Sequence, residues 1–297
     1  MTDFNIPILL LTYNRPALLE RVFEQVAKIR PEKIYVVSDG PKNDEDALKI
    51  ERSREFLSLK SREFTIIQLN RNENLGCRES VSSGISWFFD QEEMGIILED
   101  DCLPSESFFN YCAELLKRYK NDERIYSISG FNQQNEWKIN NADYFFSSLG
   151  NCWGWASWRR CWKDYDVDIK DFNEFVNNNG FENSLGSHLG EIKHNMIHNG
   201  VIKNASDSWA LQWGYLRHKN HGLTCIPSKS LIKNIGFGKD ATHTKGHHPF
   251  ENVIANEITF PLKENFFIVP DMEYDNLMFK RENLLNRFFQ RIWRVFN

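Results

Sequence analysis

Four short apolar runs, each closed by turn residues and each followed by a stretch of helical spacing, constrain this 297-residue chain more than any other feature. Residues 7–14 read PILLLTYN, a continuous apolar run suited to a strand buried on both faces of a mainly parallel sheet. In RPALLERVFEQVAKI, Leu18, Leu19, Val22, Phe23, Val26 and Ile29 recur at helical intervals, and Pro16 stands where a first helical turn tolerates proline. KIYVVSDGP, FTIIQLN and MGIILED repeat the strand pattern, with DALKIERSREFLSL and CRESVSSGISWFFDQ as the helices between them. Four strand-helix alternations in a hundred residues predict an open α/β, Rossmann-like sheet with helices on both faces. Such sheets bind ligands beyond the carboxyl ends of their strands. Tyr13 to Arg15, Asp39 and Glu99 to Asp101 fall at those ends, so one edge gathers an arginine and four carboxylates. A nucleotide diphosphate with a divalent cation fits such an edge.

The triplet Glu99-Asp100-Asp101 is the sharpest element, because an apolar run leads directly into three carboxylates whose burial is costly without a positive partner. Strand alternation would put Glu99 and Asp101 on one side and Asp100 on the other. Mg²⁺ or Mn²⁺ prefers oxygen ligands, typically one or two carboxylates together with phosphates.

After FFNYCAELLKRYKND, a helix, and IYSISG, a strand, the alternation fades into a segment rich in Trp, His, Asn and Gly. We expect residues 1–130 to form a nucleotide-binding half and 131–280 a second half of one mixed fold. Residues 282–296, ENLLNRFFQRIWRVF, place apolar side chains on one helical face and Arg287, Arg291 and Arg294 on the other. This basic amphipathic helix, 281–297, suits either an anionic membrane surface or a closing contact with the core. The net charge of −5 offers no basic surplus for a nucleic acid backbone. Six cysteines show no CxxC or zinc spacing and read as reduced thiols, and the N-terminus lacks a basic signal-peptide start. A cytoplasmic protein is expected, with the inner membrane face as the location if the tail binds lipid.

PILLLTYNRP, VVSDGP and IILEDDCLPSESFF together resemble the donor half of GT-A glycosyltransferases, most closely the N-acetylglucosaminyltransferase I type, whose DxD element is Glu-Asp-Asp followed by a proline and an aromatic pair. LGNCWGWASWRRCW and NIGFGKDATHT resemble bacterial members of that group, and the similarity covers most of residues 6–245. It implies a metal-dependent inverting transfer from a UDP-sugar to a glycan or glycolipid acceptor, in bacterial surface polysaccharide or lipopolysaccharide synthesis. Asp101 would bind the Mn²⁺ or Mg²⁺ ion. Glu99 and Asp100 would orient ribose, sugar or a metal-bound water, Asp39 would hydrogen-bond the uracil, and Arg15 and Arg78 would line the donor pocket. Asp207, the only acid in NASDSWALQWG, would be the general base, with a helix cap as its alternative role. In GFGKDATHT, His243 would complete the metal shell or bond the diphosphate, and Lys239 would stabilise the leaving group.

Four tryptophans around Gly154 serve either as a sugar platform or as core, with Trp153 and Trp155 expected nearest the site. His247 and His248 have no acid at useful spacing. Two other classes compete: a sugar-nucleotide nucleotidyltransferase, which would need a Gly-rich basic signature where LLTYNRPALLE stands, and a noncatalytic carbohydrate-binding protein.

Overall fold

The computed structural model describes residues 4–138, 142–237 and 250–280. The expected strands are β1 (Ile8–Thr12), β2 (Ile34–Ser38), β3 (Ile66–Asn70) and β4 (Met94–Glu99), separated by α1 (Pro16–Lys28), α2 (Asp44–Lys60) and α3 (Gly76–Gln91). They run parallel in the order β3-β2-β1-β4. Every residue of β1 and β2 is buried, whereas β3, at the sheet edge, is only partly covered. Pro16 opens α1, which buries Leu19, Val22, Phe23 and Val26 as its spacing predicts. The Asn43 side chain accepts the Asp46 amide at 2.9 Å, and three acids in the first turn of α2 favour the positive end of its dipole.

The chain continues through β5 (Cys102–Pro104), α4 (Glu106–Arg118), β6 (Ile125–Ser129), β7 (Tyr144–Ser147) and β8 (Trp155–Trp158). Next come α5 (Arg159–Trp162), α6 (Phe172–Asn177), α7 (Gly180–Leu185), α8 (Ser187–Ile197), a π turn His198–Ile202 and α9 (Ala210–Lys219), then β9 (Leu223–Pro227) and β10 (Ile232–Asn234). A last helix covers 272–280. β8 inserts antiparallel between β4 and β6, and β9 and β7 complete one mixed eight-stranded sheet. The expected halves therefore share a sheet, and β6 reaches β4 only through a strand from beyond residue 130.

Most of the tryptophans are core. Trp155 is 1% exposed and stacks on Trp209 at 5.7 Å, with Trp162 and Trp213 against it. Trp155 is thus a sheet residue beneath the site, contrary to expectation. Trp153 is half-buried, packing on Phe131 and Phe237. All six cysteines are free thiols, and among the described residues no helix is long and apolar enough to cross a membrane. The tail 281–297 lies outside the described residues.

The 272–280 helix is tied to β7 by Asp275, which accepts hydrogen bonds from the Ser147 hydroxyl and, at 2.9 Å, the Ser148 amide. Burial pushes its carboxyl up to about 6. Because the folded value lies above the unfolded one, this group's contribution is fully present below about pH 4 and lost as pH rises to about 6. Asp275→Asn should therefore gain up to about 2–3 kcal/mol on the wild type between those limits. Urea midpoints of both proteins at pH 4 and pH 7 check this, and parallel pH profiles would refute it.

Candidate active site

The ladder between β1 and its neighbours extends one residue past the strands. Asp39 donates its amide to the Thr12 carbonyl at 3.2 Å, and Asp100 donates its amide to the Leu11 carbonyl at 3.0 Å. Asp39 and Asp100 consequently flank the end of β1, where the chain winds to β2 on one side and to β4 on the other. This is the switch point at which open α/β sheets hold ligands. Arg15, the residue before α1, donates Nη1 to Asp101 Oδ2 at 2.8 Å and Nη2 to Asp100 Oδ1. β4 ends at Glu99 and a turn follows, so strand alternation does not apply, and all three carboxylates line one cavity.

Among the described residues, the Arg15 guanidinium thus pairs with two of the three acids. Burial, then Asp101 and Asp100, push the Glu99 carboxyl up. Burial also raises Asp100 against the pull of Arg15, with Asp101 adding to the rise. Additional positive charge here would relieve both groups. The antiparallel β5–β10 pair carries residues 234–237 over the triplet, and the Ile235 amide donates to the Asp101 carbonyl at 2.8 Å. Gly236 is required at this crossing, since a Cβ would lie 2.3 Å from Asp101 Oδ2.

The triplet cavity has a volume of ≈ 270 Å³ and is also lined by Tyr13, Asp39, Lys42, Asn74, Cys77 and Trp153. Asp39 orders the loop before α3. It accepts from the Gly40 and Leu75 amides through Oδ1, and from Asn74 Nδ2 at 2.9 Å through Oδ2. The Tyr13 hydroxyl donates to Asp46 at 2.6 Å, and Lys42 lies 5.9 Å from its ring centre. Thr12 Oγ1, on the same wall, is buried without a hydrogen-bond partner among the described residues.

A second cavity, of ≈ 630 Å³, opens between α8, α9 and the 149–153 loop. The two share Cys77, Glu99, Trp153 and Asp207 in their walls. Asp207 is anchored across the fold: its carboxylate accepts the Cys77 amide at 2.9 Å and the Arg78 amide at 3.1 Å, capping α3 from the side of the second cavity. Gly76, at φ +80°, permits this approach, since a Cβ would meet Asp207 Oδ2 at 3.0 Å. Asp207 does not cap the helix that follows it, α9, whose N-cap is Trp209; it holds the start of α3, distant in sequence. Arg78 turns its guanidinium to Asn204 and the Ser206 carbonyl.

The structure thus brings Arg15, Asp39, Glu99, Asp100, Asp101 and Asp207 to one pair of joined cavities. Lys239 and His243 lie outside the described residues. Tyr13 lies where the strand-end reading put it, whereas Asn74 and Lys42 were not anticipated, although Lys42 directly follows the SDGP motif. Among the described residues no group of three His, Cys, Asp or Glu forms a metal site by itself. The hard oxygen donors of the triplet, whose charge Arg15 only partly offsets, are of the type that would suit a Mg²⁺ or Mn²⁺ ion.

Carboxylates at the switch point of a Rossmann-like sheet, facing a second cavity, define a GT-A type nucleotide-binding fold. The model of Glycosyl transferase family 2 matches residues 8–178, more than half of the chain, and the protein belongs to that family. A comparison with curated proteins returns no match. Among solved structures, TarS residues 1–349 of S. aureus is 9% identical with a TM-score of 0.42, covering 77% of this chain and 59% of its own, so this chain spans about three fifths of that structure. HddC of Yersinia pseudotuberculosis is 9% identical (TM-score 0.33, covering 54% of this chain and 80% of its own). The 4-diphosphocytidyl-2C-methyl-D-erythritol synthase of Anaerococcus prevotii is 13% identical (TM-score 0.34, 60% and 85%).

Proposed function

We propose that this protein is a metal-dependent inverting glycosyltransferase, nearest the N-acetylglucosaminyltransferase I type, that moves a sugar from a UDP-sugar to a glycan or glycolipid hydroxyl. The observation that carries this is the meeting of the two cavities at Glu99, Trp153 and Asp207. A donor in the smaller cavity and an acceptor in the larger would bring their reacting atoms together there. The nucleoside fits against Tyr13, Asp39, Lys42 and Asn74. Asp101, with Glu99 and Asp100, would hold the divalent ion, which when bound supplies positive charge to the diphosphate leaving group. Arg15 fixes the triplet and adds to that charge, and Trp153 offers a ring face to the sugar.

In the transfer, the acceptor oxygen bonds to the anomeric carbon as the carbon–oxygen bond to the diphosphate breaks. Asp207 takes the hydroxyl proton, and UDP departs with the electron pair. One displacement inverts the anomeric centre. The setting in bacterial surface polysaccharide or lipopolysaccharide synthesis rests on the sequence resemblance, as do membrane contact through 281–297 and roles for Lys239 and His243.

Calorimetric titration of UDP and UDP-sugars with Mn²⁺ or EDTA tests the proposal. Wild type should bind in a metal-dependent way. Asp101→Ala should lose that binding while melting no lower than wild type, because it removes one of three mutually repelling acids. Unchanged binding by the variant would overturn the site, and consumption of nucleoside triphosphates with a sugar phosphate would favour a nucleotidyltransferase.

A further inference from the structure

We propose that this protein docks on an anionic lipid bilayer through the turn between Lys263 and Pro270, which presents Phe266, Phe267 and Val269 to the lipid. Phe266 is 84% exposed, Phe267 76% and Val269 62%, so three large apolar side chains within four residues stand in water. Scattered apolar residues are ordinary on a surface, but adjoining aromatic rings held in solvent mark a place of contact. The turn lies beyond residues 8–178, outside the stretch that matches the family.

The turn is fixed at both ends to β7, the edge strand of the sheet. Before it, Lys263 donates its amide to Asp143 Oδ2 at 2.7 Å and accepts the Asp143 amide at 3.1 Å. After it, Pro270 bridges to Phe146, and the Asp271 amide donates to the Phe146 carbonyl at 2.8 Å. Within it, the Phe267 amide donates to Asn265 Oδ1 at 3.2 Å. The backbone is therefore held while the rings point away from the core. Charge favours lipid as the partner. Acids around the turn are paired, Glu264 with Arg118 at 2.9 Å, and Asp271 and Glu273 with Lys138 at 2.9 and 3.1 Å. The chain then runs through the 272–280 helix into 281–297, outside the described residues, whose sequence carries four arginines and one acid in a chain of net charge −5. Surface binding strengthens with buried apolar area and with basic charge near anionic headgroups, and this end of an otherwise acidic chain offers both. A second copy, acidic like the first, would meet no such attraction.

Resting further on the transferase reading, the same placement makes the acceptor lipid-linked. Pro270 lines a third cavity, of ≈ 280 Å³, which shares Arg217 and His218 with the second cavity, as the second shares Glu99 and Asp207 with the donor cavity. The exposed turn thus adjoins the end of this series opposite the triplet. A headgroup carried in the bilayer would extend toward Asp207 from the side opposite the donor.

The test is co-sedimentation of the full chain with vesicles of phosphatidylcholine alone or mixed with phosphatidylglycerol. Wild type should partition onto the anionic vesicles far more than onto the neutral ones. Phe266→Ser combined with Phe267→Ser should weaken that partitioning about tenfold or more, because two rings no longer enter lipid. Melting temperature and UDP affinity should not change, since both rings face solvent. Absence of vesicle binding, equal binding to both compositions, or binding indifferent to the double substitution would overturn the proposal. So would a double variant that melts lower or changes oligomeric state in analytical ultracentrifugation, which would put another segment or a second copy over the rings. Vesicle binding without UDP binding leaves the docking surface and removes the transferase reading, and UDP binding without vesicle binding does the reverse.

Discussion

Asp207→Asn is expected to keep UDP affinity and to lower transfer by roughly 10²- to 10⁴-fold, the loss typical of a missing general base. The same substitution carries a second, smaller effect. Asp207 accepts two amides at the start of α3, and an asparagine would turn an NH₂ group toward one of them. Losing that contact should cost about 1–2 kcal/mol of stability, as loss of a helix cap does. The two roles separate by measurement: turnover reports the base, and thermal melting reports the anchor. A variant that melts lower yet turns over within a few-fold of wild type would leave Asp207 as an anchor and move proton transfer elsewhere, with Glu99 the other carboxylate at the junction.

The largest stability effect should come from Arg15→Ala. Arg15 is the guanidinium paired with both Asp100 and Asp101, and Asp100 is almost fully buried. Removing one partner of a buried ion pair typically costs about 3–5 kcal/mol, because the remaining charges are left without compensation. Melting with and without Mg²⁺ or Mn²⁺ adds a second readout. Divalent ions should raise the melting temperature of the variant more than that of wild type, since the ion would replace charge that Arg15 supplied. Arg15→Lys should recover only part of the loss, because an ammonium cannot make both contacts in one plane. If Arg15→Ala melts like wild type, the triplet is not the electrostatically loaded site described above.

The first four strands and their helices were legible because their signals are local. Buried strands wrote themselves as apolar runs, Pro16 marked a helix start, and the acids stood directly after strands that the sheet then brought side by side. What escaped depends on distant pairing. β5 and β10 are three residues each and form only because residues 102–104 and 232–234 meet. Trp155 looks like a sugar platform in sequence, yet β8 enters the centre of the sheet and buries it. The Asp207 contact with α3 joins residues 130 apart in sequence, and the second cavity gathers residues from α8, α9 and the 149–153 loop that only the tertiary fold brings together.

The position of β8 has a consequence for how the molecule is made. When the first 130 residues have left the ribosome, β4 is paired on its β1 side only, and β6 has neither of its neighbours. Both must wait for residues 155–158, and β6 waits further for Leu223–Pro227. Until then the nascent chain carries bare apolar strand edges, the condition under which strands pair with the wrong chain. The first four strands are therefore not a module that could be excised alone: β4 gains its second neighbour only from β8, which lies in the same stretch of chain as the 149–153 wall of the second cavity.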